Sequence, residues 1–241
     1  MDPAKHTHES LFEGAVFLID KPLNWTSFDV VNKIKYLLKH KCGIKKIKIG
    51  HAGTLDPLAT GLLIVCIGKE TKSIEKYQAY EKEYSGSFFL GATTPSFDLE
   101  TKVDKTFPIE HISHELITKA AESFTGEQDQ LPPIFSAKKI DGKRAYDLAR
   151  KGKDPKVKPK KIQIHQFTIV DVSLPQVTFN IVCSKGTYIR SIARDLGEKL
   201  NSGAYLQSLR RDRIGPFDVK DALTLENFEK IISANKSLCT D

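Results

Sequence analysis

Gly50-His51-Ala52-Gly53-Thr54-Leu55-Asp56-Pro57-Leu58-Ala59-Thr60-Gly61 runs straight into Leu62-Leu63-Ile64-Val65-Cys66-Ile67, and that join governs how the rest of the chain is read. The first part holds three glycines, a proline and two threonines, the composition of a loop. The second is an apolar run of strand length with a β-branched pair, closed by Gly68. One carboxylate, Asp56, is therefore offered from a stiff turn abutting a buried strand. Pro57 fixes its own φ and biases Asp56 toward extended backbone. Two readings stay open on these residues: a preorganised nucleophile, or a tight structural turn with an Asx cap.

Upstream, residues 15–19 (Ala-Val-Phe-Leu-Ile) read as a buried strand stopped at Asp20-Lys21-Pro22. Thr26 or Ser27 can cap a helix whose apolar positions Val30, Val31, Ile34, Leu37 and Leu38 recur at helical spacing, with Lys33, Lys35 and Lys39 opposite. A linker over 39–48 carries Lys39, Lys41, Lys45, Lys46 and Lys48 around Gly43. These lysines either contact phosphate or keep the linker solvated.

Downstream, the pattern predicts a helix over 70–80, a strand over 83–91 with Gly86 at a bulge, and a polar loop over 93–98. An amphipathic helix over 113–124 follows, ended by Gly126. Gln130-Leu131-Pro132-Pro133 then leaves the compact pattern, because paired prolines forbid helix and sheet interior; 131–161 reads as a projecting flap. Strands are expected at 162–165, 167–170, 177–183 and 204–209, and a short helix at 225–232. Thr187 is a good N-cap for a helix through Leu200, which places Tyr188 and Arg190 in its first turn, just past a strand end. The organisation expected is a flexible tail at 1–10, one domain over 11–232 with the insertion at about 131–161, and a tail at 233–241.

At 241 residues, 40% hydrophobic and 28% charged, the chain can bury a substantial core. The net charge is +7, and the segment 138–161 alone carries +8, leaving the remainder near neutral. One segment with the whole excess reads as a docking element for a polyanion, nucleic acid above all. The longest apolar runs fall far short of the roughly 20 residues a membrane span needs, and the polar N-terminus has no apolar signal region; a cytoplasmic protein without membrane attachment is expected. Cys42, Cys66, Cys183 and Cys239 are scattered, and the histidines lack metal-ligand spacing. With no Walker loop and no dinucleotide fingerprint either, no cofactor and no metal is expected. The residues alone reach a carboxylate enzyme acting on nucleic acid; glycoside hydrolysis would want a second carboxylate that this loop does not offer.

The 50–61 stretch resembles the signature of the TruB family, bacterial synthases that make pseudouridine 55 in tRNA. Further blocks are similar and in the family's order: Asp20-Lys21-Pro22 with Thr26-Ser27; Lys82-Glu83-Tyr84 leading to Leu90-Gly91; Gln130-Leu131-Pro132-Pro133 with Ser136-Ala137-Lys138; Cys183-Ser184-Lys185-Gly186-Thr187-Tyr188-Ile189-Arg190; and Leu209-Arg210-Arg211 with Gly215-Pro216-Phe217. The resemblance spans roughly 12–217. It implies an α/β fold of the α+β type, with a mixed, mostly antiparallel central sheet, flanking helices and a projecting basic insertion. It implies Asp56 as the catalytic aspartate, Arg190 pairing with it, and Tyr84 stacking on the target uracil. His51 would fill the space vacated by a flipped nucleotide, and Tyr188, Leu209, Lys21, Lys138 and Lys139 would help bind substrate. The implied partner is the T-arm stem-loop of tRNA, bound by a monomer with no protein partner. Two other readings use the same residues: an RNA-binding or RNA-folding protein, and a synthase for another RNA uridine. Ser96 stands where the family usually has threonine, and Thr101 where glycine is common. Only about two dozen residues follow Phe217, so a full C-terminal RNA-binding domain is not expected.

Overall fold

The computed structural model describes residues 6–133, 139–140, 143–144 and 158–235. In chain order the strands are β1 (Ala15–Lys21), β2 (Ile49–His51), β3 (Ala59–Ile67), β4 (Lys82–Leu90), β5 (Ala92–Thr93), β6 (Lys105–Thr106) and β7 (Gly126–Gln130). They continue with β8 (Lys139–Ile140), β9 (Lys143–Arg144), β10 (Lys160–Ser173), β11 (Gln176–Cys183), β12 (Ala204–Ile214) and β13 (Phe217–Asp218). The chain forms two compact units, one of Met1–Glu83 with Arg210–Asp241 and one of Tyr84–Leu209; β4 and β12 each contribute residues to both.

In the first unit the ladder runs β1-β3-β12, with β2 on β3 and β13 on β12. The β1–β3 pair is antiparallel, from Ala15 opposite Ile67 to Lys21 opposite Gly61. Both strands are apolar on both faces because both faces are covered. Phe17, Ile19, Leu63, Val65 and Ile67 pack with Val30, Ile34, Leu37 and Leu38 of the helix Ser27–Lys41 and with Phe228 and Ile232 of the helix Leu225–Ala234. The alternate residues Val16, Leu18, Leu62, Ile64 and Cys66 pack with Ala52 and Ile214. Gly61 sits at φ +102°, and a β-carbon there would lie 2.7 Å from the backbone nitrogen of Arg211, so glycine is required twice over.

In the second unit the ladder runs β12-β4-β11-β10-β7. Phe88 stacks on Phe179 at 4.1 Å between centroids, and Phe167 meets both rings edge-on. A β-carbon on Gly86 would run into the Ser208 carbonyl and the Phe179 ring, which accounts for a glycine inside β4. The helix His114–Glu122, capped by Ser113, buries Ile117, Ala120 and Ala121. The helix Ile189–Lys199 buries Ile192, Ala193 and Leu196. The β10–β11 and β7–β10 pairs are antiparallel, as are β2–β3 and β12–β13, and two isolated bridges, Ile19 to Leu223 and Asp98 to Leu206, are parallel. The mixed, mostly antiparallel sheet with flanking helices is thus as expected.

Several elements differ from expectation, each for a physical reason. Residues 162–165 and 167–170 are one strand, β10, whose register shifts between Ile164 and Gln166 and again between Ile169 and Asp171 break the apolar alternation. β7, with the polar sequence Gly-Glu-Gln-Asp-Gln, was not anticipated; pairing with β10 makes it a strand where propensity does not. The predicted 70–80 helix is a 3₁₀ segment, Gly68–Ser73, followed by the helix Ile74–Ala79. The stretch read as a tail at 1–10 contains the start of the helix His8–Glu13, capped by Thr7, whose Leu11 is fully buried. Most of the basic segment 131–161 lies outside the described residues.

Candidate active site

In the first unit, the loop that presents Asp56 is shorter than the sequence suggests, because its ends belong to β2 and β3. It is tied down along its length. The Ala52 N–H donates to the Ile64 carbonyl at 2.9 Å. The Ser27 hydroxyl accepts from the Leu55 N–H at 2.9 Å and donates to the Leu55 carbonyl at 3.3 Å, so the first residue of a capped helix holds the residue before Asp56. The Asp56 carbonyl accepts from the Ala59 N–H at 3.1 Å, and the Pro57 carbonyl from the Asn24 N–H at 2.9 Å. The Asp56 side chain is half-buried.

Two buried cations complete this arrangement. Lys21, with no exposed surface, donates to the carbonyls of Trp25 at 2.6 Å, Pro22 at 2.9 Å and Pro57 at 3.4 Å. Burial pushes its ammonium down to about 8; the negative charge of Asp56 pulls the other way and is the larger of the carboxylate influences, while Arg211 adds to the fall. Arg211, 1% exposed, donates from Nε to the Leu62 carbonyl at 2.8 Å and from Nη2 to the Gly53 carbonyl at 3.0 Å. It therefore clamps the loop to β3. His51, half-buried on β2, has its basicity lowered by burial and then by the charge of Arg211, which favours the neutral ring. Lys21, His51 and Asp56 thus belong to one unit. Arg211 lies beyond the strand expected at 204–209, among four consecutive charged residues that read as solvated; β12 instead runs on to Ile214 and buries it.

In the second unit, Arg190 is buried in the first turn of its helix, with Nε 3.6 Å from Asp98 Oδ2 and Nη1 donating to the Ser96 carbonyl at 3.3 Å. Ser96 and Thr101 are bonded to one another. The Ser96 and Thr101 hydroxyls lie 2.8 Å apart, the Ser96 N–H donates to the Thr101 hydroxyl at 3.0 Å, and the Thr101 N–H donates to the Ser96 hydroxyl at 3.2 Å. That closed pair sets the turn from which Asp98 faces Arg190.

Thr187 is not the helix cap. Its hydroxyl donates to the Ser184 carbonyl at 3.0 Å, and the N-cap is Tyr188, which has no side-chain cap bond of its own. Buried Gln130, at the end of β7, takes over: its Oε1 accepts from the Tyr188 N–H at 2.8 Å and its Nε2 donates to the Tyr188 carbonyl at 3.1 Å. Tyr188 is half-buried, Tyr84 on β4 is buried, and Leu209 on β12 is half-buried. Lys138 lies outside the described residues, and Lys139 opens β8, which pairs with β9.

Comparison with known proteins bears on the chain as a whole. The TruB family pseudouridylate synthase N-terminal domain matches residues 39–189, and the tRNA pseudouridylate synthase B C-terminal domain matches 190–239. The chain is 56% identical to a tRNA pseudouridine synthase B of Flavobacterium johnsoniae, covering 93% of this chain and 98% of that one. It is also 56% identical to the protein of the same name from Phocaeicola vulgatus, covering 90% and 92%. Among solved structures it is similar to a chain in a Cbf5-Nop10-Gar1 complex, with a TM-score of 0.70 and 27% identity over 95% of this chain and 58% of that one. An aspartate on a clamped loop, in a sequence alike over nearly the whole length of such relatives, leads to one conclusion: the chain belongs to the TruB family of pseudouridylate synthases.

Proposed function

We propose that Asp56 is the catalytic residue of this chain and that uridine 55 in the T-arm stem-loop of tRNA is its target. The protein is a tRNA pseudouridine synthase, an isomerase. The reaction breaks the C1′–N1 bond of uridine, turns the base and joins C1′ to C5; the C5 proton leaves and N1 ends protonated, with no net hydrolysis. The observation that carries the role of Asp56 is the anchoring of its backbone: Leu55 is bonded to Ser27, Asp56 to Ala59 within the turn, and Pro57 to Asn24. A carboxylate held this way meets C1′ without first losing conformational freedom, whether it attacks that carbon or assists proton removal there.

Tyr84 and Arg190 join Asp56 as catalytic residues in this proposal. Tyr188 and Leu209 contribute apolar surface for the detached base, which an aromatic wall can hold while leaving it free to turn. His51, kept neutral, fills the space left by the flipped nucleotide. Lys21 supports the loop of Asp56, and Lys138 and Lys139 contact phosphate from the basic insertion. The enzyme acts as a monomer, in the cytoplasm, without a protein partner.

The test uses unmodified tRNA incubated with wild type and with Asp56→Asn, followed by mapping of pseudouridine through carbodiimide-dependent primer stops. Wild type should give a stop at position 55, and the variant should lose turnover by on the order of 10⁴-fold. An unchanged stop with the variant would remove Asp56 from the chemistry. A stop at another uridine would reassign the target.

A further inference from the structure

We propose that the exposed face of the helix Ser27–Lys41, with the loop that follows it, is a second RNA-contacting surface, taking the sugar-phosphate backbone of the tRNA away from the reacting nucleotide. The inference rests on tRNA being the substrate. Residues 33–48 contain seven lysines and no aspartate or glutamate, a local charge of +7. The basic segment at 138–161 is therefore not the chain's single concentration of positive charge; acids elsewhere conceal the second one in the total.

The structure places this charge where it can act. Lys33 pairs with Glu229 at 2.9 Å. Lys35, Lys39, Lys41, Lys45, Lys46 and Lys48 are exposed, and none of them enters a salt bridge among the described residues. Aromatic rings are interleaved with them: Phe28 is 65% exposed and Tyr36 is 55% exposed, with the Tyr36 ring 4.3 Å from that of His40. Helical spacing brings Phe28, Lys35, Tyr36 and Lys39 onto one face, while Val30, Ile34, Leu37 and Leu38 occupy the opposite, buried one. Large exposed rings contribute nothing to this unit's core, and a basic face carrying them matches the footprint of nucleic acid.

Position argues for the same occupant. The stripe begins beside the loop of Asp56, since Ser27 is bonded to Leu55 in both directions. At 1.5 Å per residue a helix of 15 residues is about 22 Å long, enough to follow several nucleotides from a uridine held at that loop. Each phosphate neutralised releases condensed counterions, so this surface should appear in the salt dependence of binding.

The test compares wild type with Lys35→Gln/Lys39→Gln/Lys45→Gln/Lys46→Gln and with a control, Lys102→Gln/Lys105→Gln/Lys220→Gln/Lys230→Gln. Affinity for unmodified tRNA is measured over a range of salt, and turnover at saturating tRNA. The first variant should bind at least about tenfold more weakly at low salt, with a slope of log Kd against log salt shallower by about 2 to 3. Its kcat should stay within about twofold of wild type, and the control should match wild type in both measurements. Tyr36→Ala should weaken binding by about fivefold without changing the slope, the mark of a ring rather than a charge. Equal affinity and slope for wild type and the first variant, or an equal loss in the control, would overturn this surface. Failure of wild type to form pseudouridine would break the substrate reading instead, and is seen separately.

Discussion

Two helices begin beside residues assigned to the reaction, and they are secured in opposite ways. In the first unit, Ser27–Lys41 starts with a reciprocal box: the Thr26 hydroxyl accepts from the Asp29 N–H at 3.0 Å, and an Asp29 oxygen accepts from the Thr26 N–H at 2.9 Å. In the second, Ile189–Lys199 has no cap of its own and is held through Tyr188 by Gln130, 58 residues earlier. The first start is written within four consecutive residues. The second depends on a strand, β7, that exists because β10 pairs with it. The difference teaches that a site residue's neighbourhood can be local or borrowed, and that the cost of losing a partner should follow that division.

The buried arginines repeat the contrast. Arg190 faces a carboxylate, Asp98, whereas Arg211 is held by two backbone carbonyls and its charge helps push the Lys21 ammonium down. The largest effect is expected at Arg211. Two charge-assisted hydrogen bonds are lost in Arg211→Ala, each carrying about 1.5–3 kcal/mol, so urea unfolding should register a loss of about 3–6 kcal/mol together with a fall in turnover. A loss below about 1 kcal/mol would mean that the Asp56 loop holds its shape from local bonds alone.

Next comes the pH dependence set by Lys21. Its ammonium deprotonates near 8 in the folded protein and near 10.5 in the unfolded chain, so between those values the unfolded state binds more protons and stability rises with pH. The climb should approach roughly 3 kcal/mol, read as the difference between wild type and Lys21→Gln in unfolding experiments across that window. Because Asp56 holds the lysine up, Asp56→Asn should move its titration further down, which ¹³C NMR of the lysine side chain can follow. An unchanged titration would show that the two charges do not sense one another.

Smaller effects sharpen the comparison of helix starts. Gln130→Ala removes two hydrogen bonds at Tyr188, whose carbonyl still accepts from the Ile192 N–H, and should cost about 2 kcal/mol. Thr26→Ala should cost about 1 kcal/mol, the usual loss for a cap. Thr187→Ala should cost only a few tenths, because its hydroxyl closes a turn on Ser184 and caps nothing. Equal losses at Thr187 and Thr26 would return the cap to Thr187.

What could be read in advance follows from the range of each interaction. The helical spacing of Val30, Ile34, Leu37 and Leu38 needed only neighbouring residues and is where the sequence placed it, and of the two caps it offered, Thr26 and Ser27, the structure uses Thr26. The unbroken apolar runs of β1 and β3 signalled strands covered on both faces, as their two packing clusters bear out. β7 was invisible because its residues have no strand preference, and β10 was split in two by register shifts that scramble its alternation. Ser96 and Thr101 looked like unrelated departures until the turn set their hydroxyls 2.8 Å apart.

By itself, then, the sequence determined the periodicities, the start of the helix at Thr26-Ser27 and the stiff loop that carries Asp56, each encoded over a few consecutive positions, and the family, through short blocks in one order. Only the tertiary structure decided that Arg211 clamps that loop to β3, that Lys21 is buried against three carbonyls, and that Gln130 stands in for a missing cap. The physical reason is that a buried cation or amide takes its partners from whichever backbone groups the fold leaves exposed to it, and sequence separation places no limit on that choice.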